Sequence, residues 1–238
     1  MNPLVFTLLL VSTCSADVQD LTGKVMFFSG DVAHVEIPVS RDIDNTVTVC
    51  LRYRRTEHNN DTKQVLFTLQ TRSVPLGLQV RRSDDDFTVK NRHDLIRYRN
   101  MFRQRKGAGE WNSVCVTRDS ETARVTTLER VQLWVNDMRT LRGLINTVWR
   151  RTPGDLAPKL SLGKSRPFQE GETPDTTDYH PFLGEVKDVH VWDLILSPCE
   201  IKRFIDYKEG CSDAFTPGNA VNWKALEFTQ GTVSIKQA

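Results

Sequence analysis

The chain has 238 residues, 26% charged and 39% hydrophobic, with a formal net charge of +2. So balanced a charge gives no global field for a polyanion, and nucleic acid is not expected as a partner. The length suits one β-sandwich, and neither a repeat nor a low-complexity linker divides it.

The first residues, MNPLVFTLLLVSTCSA, have the form of a secretory signal over 1–16. The apolar stretch from Leu4 to Val11 is too short to span a bilayer, and Cys14-Ser15-Ala16 offers small residues before a cut after Ala16. No later stretch is apolar enough to cross a membrane. The expected product is one soluble, secreted, extracellular domain over 17–238.

From residue 47 onwards, short alternating segments dominate. In VTVCLRY (47–53), Val47, Val49, Leu51 and Tyr53 share one face. Asn60-Asp61-Thr62, in the polar run TEHNNDTKQ, is a glycosylation sequon at Asn60. In RHDLIRYRNMFRQRK (92–106), Ile96, Tyr98 and Phe102 alternate with Arg97, Arg99 and Arg103. As a strand this carries an apolar face and a row of guanidiniums, whose forks suit phosphate, sulfate or carboxylate. The plain alternative is a solvated outer face. VQLWV (131–135) sets Val131, Leu133 and Val135 against Gln132 and Trp134, and VKDVHVWDLIL (186–196) is β-branched and aromatic. The pattern predicts an all-β sandwich or barrel.

The stretch LSLGKSRPFQEGETPDTTDYHPFLGE (160–185) contains Gly163-Lys164-Ser165. It is not a phosphate loop. The position that needs the first glycine is Pro158, and Pro167, Gly171 and Pro174 forbid the helix that must follow. Glu170, Glu172, Asp175 and Asp178 lie in the same loop. One helix is predicted after it. Ser197-Pro198-Cys199-Glu200 forms a capping box, Ile201, Phe204 and Ile205 share a face, and Gly210 ends it.

With Cys14 removed, Cys50, Cys115, Cys199 and Cys211 allow three pairings. Cys50–Cys115 is the favoured long-range staple and Cys199–Cys211 the favoured local clip. No C-x-x-C or nearby histidine points to zinc. Catalysis has little support. Glu185 and Asp188 are expected on opposite faces of a strand, and His34, His58, His93, His180 and His190 show no triad-like setting. His190 alternates with valines as a packed residue does.

Taken in order, DLTGKVMFF (20–28), TVCLRY, WNSVCVTRDS (111–120), VQLWVND (131–137), FLGEVKDVHVWDLILSP (182–198) and TPGNAVNWKALEF (216–228) resemble the pentraxins. In the family signature His-x-Cys-x-Ser/Thr-Trp-x-Ser, Cys115, Thr117 and Ser120 match, whereas Ser113 replaces histidine and Arg118 replaces tryptophan. The resemblance implies a jelly-roll sandwich of two antiparallel sheets, the Cys50–Cys115 staple, and a flat cyclic homo-oligomer, usually of five subunits. It implies a non-catalytic pattern-recognition protein of innate immunity. It also implies two calcium ions through which phosphocholine, phosphoethanolamine or carbohydrate binds. The family's Asp-Asn pair falls at Pro75-Leu76, its Glu-Gln-Asp run at Ser165-Arg166-Pro167, and its later Glu and Gln near Thr177 and His180. None matches, so loss of the usual two-ion site is expected and no cofactor is assigned with certainty. Glu170, Glu172, Asp175 and Asp178 are the weak candidates for a rebuilt site, with Asp84-Asp85-Asp86 a further acidic run. Two alternatives follow. One is a calcium-dependent phosphocholine- or carbohydrate-binding pentraxin using that acidic loop, and the other a glycan hydrolase on a jelly-roll fold.

Overall fold

The computed structural model describes residues 18–30, 33–43, 45–56, 63–71, 76–80, 86–91, 95–98, 109–123, 126–148, 157–164, 179–207, 215–230 and 233–238. Residues 1–16, Asn60, Arg99, Arg103, Pro75, Ser165, Arg166, Pro167, Glu170, Glu172, Asp175, Thr177, Asp178, Gly210 and Cys211 lie outside these.

The strands are β1 (Lys24–Phe28), β2 (Val35–Pro38), β3 (Thr46–Arg55), β4 (Lys63–Gln70), β5 (Leu76–Val80), β6 (Phe87–Lys90), β7 (Leu95–Tyr98), β8 (Asn112–Ala123) and β9 (Thr126–Val135). They continue with β10 (Met138–Arg139), β11 (Gly143–Val148), β12 (Lys159–Leu162), β13 (Tyr179–Pro181), β14 (Gly184–Trp192), β15 (Val221–Asn222), β16 (Thr229–Gln230) and β17 (Val233–Gln237). One helix, α1, spans Pro198–Asp206.

Two sheets stack face to face. The larger runs β10-β9-β8-β3-β14-β1-β17, with β11 on β9 and β15 on β14; the smaller runs β16-β2-β12-β4-β5-β6-β7, with β13 on β4. Pairing is antiparallel, as expected, apart from the three-residue β13, which runs parallel to β4. The expected alternation places the core: Val47, Val49, Leu51 and Tyr53 of β3, and Val131, Leu133 and Val135 of β9, are all buried between the sheets. Leu69, Leu76, Leu78, Leu160 and Leu162 face them from the smaller sheet.

Arg118 is an exception. It lies on β8 in register with Val47 and Val131, so it points into the core, where it is 0% exposed. Glu129, also fully buried, offsets its charge, and Asn91 Nδ2 donates to Glu129 Oε2 at 3.2 Å. Burial pulls the Arg118 guanidinium pKa down and Glu129 acts against that pull. Where the resembled signature has tryptophan, this chain holds a buried charge pair.

The outer face of the larger sheet carries α1. Cys50 and Cys115 are a register pair of β3 and β8 and form the expected disulfide. Trp134, Trp192, Leu196, Ile201 and Phe204 close over it. The capping box forms as expected: Glu200 N–H donates to Ser197 Oγ at 3.3 Å and Ser197 N–H to Glu200 Oε2 at 2.7 Å. The helix ends at Asp206 with Tyr207 as its extended C-cap, earlier than the glycine stop expected at Gly210. Arg52 supplies what a glycine cap would, because its Nη2 donates to Phe204 O and Tyr207 O. Cys199 is an exposed, free thiol, and Cys211, its expected partner, lies outside the described residues.

Candidate functional site

Two surfaces were expected to carry chemistry, the loop after β12 and the arginine strip around β7. Gly163 and Lys164 of the first and Arg97 of the second are described.

The loop opens at Gly163, whose φ of +74° favours glycine; a Cβ there would lie 2.7 Å from the Phe28 ring. Gly163 N–H donates to Leu66 O, and Phe182 N–H donates to Gly163 O, which pins the two ends of the loop together. The glycine of the GKS run is thus structural. Its lysine is occupied too. Lys164 Nζ lies 3.1 Å from Glu36 Oε1, and Lys159 Nζ 3.0 Å from Glu36 Oε2. Partial burial would raise the Glu36 pKa, but hydrogen bonds from the two lysines outweigh it and hold the carboxyl below its ordinary range.

Register sorts the smaller sheet into two faces. Thr68 pairs with Ser161 and Gly77, and Val65 with Gln79, all on the face away from the core. These outward residues are nonetheless buried: Val65, Thr68, Gln79 and Ser161 are each less than a tenth exposed. Thr68 Oγ1 and Gln79 Nε2 have no hydrogen-bond partner in the structure. This face is therefore a polar floor with unmet hydrogen-bonding capacity.

The described residues at the expected ligand positions and at the loop mouth do not fit a calcium ion. Leu76, at an expected ligand position, is a fully buried apolar residue of β5. His180, near another, is an exposed imidazole of β13 opposite Gln64, and the loop mouth holds the cation Lys164. A hard cation taking six to eight oxygens is not served by leucine, imidazole and ammonium. Among the described residues, no three His, Cys, Asp or Glu side chains gather into a metal-binding group.

The arginine strip is present as far as β7 is described. Ile96 packs against the core and Tyr98 is buried, while Arg97 is exposed and sits opposite Thr88 on the outer face. Arg97 thus stands on the same face as Gln79 and Thr68.

Of the groups considered for catalysis, His190, Glu185 and Asp188 are committed to structure, while His58 and His93 lie outside the described residues. His190 is buried, with Nδ1 accepting from Gly218 N–H at 3.2 Å. Burial, with Lys224 and Arg52 nearby, pushes its pKa down to about 3. It is a neutral packing residue, as its alternation with valines suggested. Glu185 and Asp188 do not point to opposite faces. A bulge between Lys187 and His190, with Asp188 at φ 53°, breaks the alternation. Glu185 reaches Arg54 and Asp188 reaches Arg52, two residues apart on one face of β3. Each carboxylate is thus paired with its own guanidinium. Sequence reasoning missed the bulge, because no glycine or proline marks it.

The model of the Pentaxin family matches residues 28–237. Jeltraxin of Lepidobatrachus laevis is 27% identical over 89% of this chain and 86% of its own length. The pentraxin fusion protein of Xenopus laevis is 24% identical over 88% of the chain, which spans 46% of that longer relative. Among solved structures, the native heptameric SAP-like pentraxin from Limulus polyphemus shares the jelly-roll fold. Its TM-score is 0.58 at 16% identity, covering 92% of this chain and 97% of that one.

Proposed function

This chain belongs to the pentaxin family, and from that membership we propose that it is a secreted, non-catalytic recognition subunit that has kept the family scaffold without its usual two-calcium ligand site. The observation that carries the reading is Leu76. Where an ion-binding amide or carboxylate is required, the chain buries an apolar side chain in β5. The cation Lys164, tied to Glu36 at the loop mouth, supports it.

Recognition falls on the outer face of the smaller sheet. Its ligand is an anionic surface, or one bearing phosphocholine or glycan, met by Arg97 together with Arg99 and Arg103. The subunit assembles into a cyclic homo-oligomer, five being the family's usual number; the heptameric Limulus relative supports a ring without deciding its size. Ring assembly multiplies a weak arginine contact by avidity. Cleavage after Ala16, a glycan at Asn60 and a Cys199–Cys211 clip in the oxidised product complete the reading. Among the described residues, no helix is long and apolar enough to cross a membrane.

The test is calorimetric calcium titration of the purified protein, followed by retention on phosphocholine resin and on anionic vesicles, with and without chelator. The proposal expects no calcium heat, and capture that persists in chelator and weakens with salt. Two ions per subunit with chelator-reversible retention would overturn it, and would assign the ions to Glu170, Glu172, Asp175 and Asp178 instead.

A further inference from the structure

A groove of about 280 Å³ opens on the outer face of the larger sheet, beside the start of α1. Register builds its floor. Thr117 of β8 pairs with Gln132 of β9, Trp134 follows two residues along β9, and Arg139 of β10 stands opposite Trp134. Ile195, Pro198 and Ile201 bound it from the helix side.

Most polar groups of the groove are already used. Gln132 Nε2 donates to Thr140 O at 2.7 Å, Arg130 is paired with Asp119 and Glu121, and Glu200 serves the helix cap. Arg139 and Arg142, which also line the groove, are exposed and have no carboxylate partner among the described residues. Arg139 lies over the Trp134 ring, 5.4 Å from its centroid. Stacking uses the flat face of a guanidinium and leaves its in-plane N–H fork free, and that fork matches a carboxylate or sulfonate. Trp134 is only 8% exposed, yet its Nε1–H has no acceptor. A buried unpaired donor is costly, and an oxygen brought in by a ligand would satisfy it.

Size and composition narrow the ligand. Pockets for drug-sized molecules run from roughly 300 to 1,000 Å³, so this groove takes a small molecule. Its isoleucines, proline and stacked indole suit an apolar body, and its two unpaired arginines suit one anionic head. Glu200 and Asp119 line the same groove and disfavour a second anionic group.

We propose that this groove binds a small amphiphile, its flat apolar body against Ile195, Pro198 and the Arg139–Trp134 stack, and its single carboxylate or sulfonate accepting from Arg139 and Arg142. The site needs no calcium. It depends neither on ring assembly nor on recognition at the smaller sheet.

Calorimetric titration of the purified protein with naphthalene-2-sulfonate, in chelator, tests it, with 2-naphthalenemethanol as the neutral counterpart. Saturable binding of one sulfonate per chain is expected. Binding should be about 10-fold weaker for the neutral alcohol and for Arg139→Ala, since each removes a charge-assisted pair. Arg142→Ala should weaken it less, and Lys236→Ala, which removes the same charge at β17, should leave it unchanged. Absence of saturable heat at millimolar sulfonate would overturn the site, as would equal affinity for the alcohol or an undiminished affinity in Arg139→Ala. Phenylglyoxal labelling read by mass spectrometry answers without substitution. The sulfonate should protect Arg139 and leave Arg97 labelled, and equal labelling of Arg139 with and without the probe would refute the proposal. Failure of these arms leaves the reading of the smaller sheet standing, because that reading is tested on resin and vesicles.

Discussion

Arg52 and Tyr207 are 155 residues apart, and Arg52 Nη2 donates to the Tyr207 carbonyl at 2.6 Å. The same nitrogen donates to Phe204 O at 2.8 Å, and Nε lies 3.4 Å from Asp188. One guanidinium therefore closes the C-terminus of α1, complements the negative end of its dipole and fixes the carboxylate at the β14 bulge.

Arg52→Ala should destabilise the domain by about 2–4 kcal/mol, since it strands two carbonyls and one carboxylate in a part-buried site. Arg52→Lys should recover less than half, because a single ammonium cannot reproduce the fork. Urea denaturation gives the magnitude. Faster amide exchange over the last turn of α1 locates the effect. Unchanged exchange there would refute the capping role.

The buried Arg118 makes a sharper prediction. Arg118→Met leaves Glu129 charged and buried, at a cost of about 3–5 kcal/mol. Adding Glu129→Gln removes that charge while keeping an acceptor for Asn91 Nδ2, so the double variant should regain most of the loss. Melting of both single variants and the double one forms a cycle. Strict additivity would mean that the two residues do not act as a pair.

The sequence made the β elements legible where one face is buried, because alternation in 47–53 and 131–135 has a direct physical cause in the pleat. The Ser197 cap was legible because it is local. Arg118 was visible as a departure from the family signature but not as a core residue, since its support comes from Glu129 on the next strand and Asn91 on the opposite sheet. The stop of α1 was misplaced at Gly210 because the group that ends it, Arg52, is remote in the chain. At the candidate site, the sequence put Leu76 where the family resemblance expects an ion ligand, and the structure buries that side chain in the core. The polar floor of Thr68, Gln79 and Ser161 was not visible, because it depends on the registers of β5 and β12 against β4.

The covalent framework can be read in a non-reducing digest. A linked Cys50–Cys115 peptide is expected from the disulfide under α1. In the secreted, oxidised product, we expect the exposed Cys199 to be linked to Cys211, closing a short loop worth about 3 kcal/mol in the chain-entropy model. An alkylated Cys199 in that digest would show that the clip does not form. Cys50→Ala should abolish secretion, since losing a native disulfide from a secreted domain costs about 2–5 kcal/mol.

His190 contributes to the acid sensitivity of the fold. Its pKa is about 3 when folded against an ordinary value of 6.5, chiefly because it is buried and then because Lys224 and Arg52 are cationic. Between those values the unfolded chain takes a proton and the native protein does not, so stability must fall as pH falls. The contribution is intact above pH 6.5, declines below it, and levels off near pH 3. At pH 4.5 the loss amounts to about 2–3 kcal/mol. Protonating Nδ1 would also remove the acceptor of Gly218 N–H, at the point where β14 meets the segment leading to β15. His190→Gln keeps an acceptor there and removes the titration. It should be less stable than the unaltered chain at pH 7.5, because a ring packed against Trp192, Phe204 and Phe215 is lost. Its stability should nevertheless change less between pH 6.5 and pH 4.5, by about the 2–3 kcal/mol assigned to the imidazole. Parallel curves for the two proteins across that interval would show that His190 is not the group responsible.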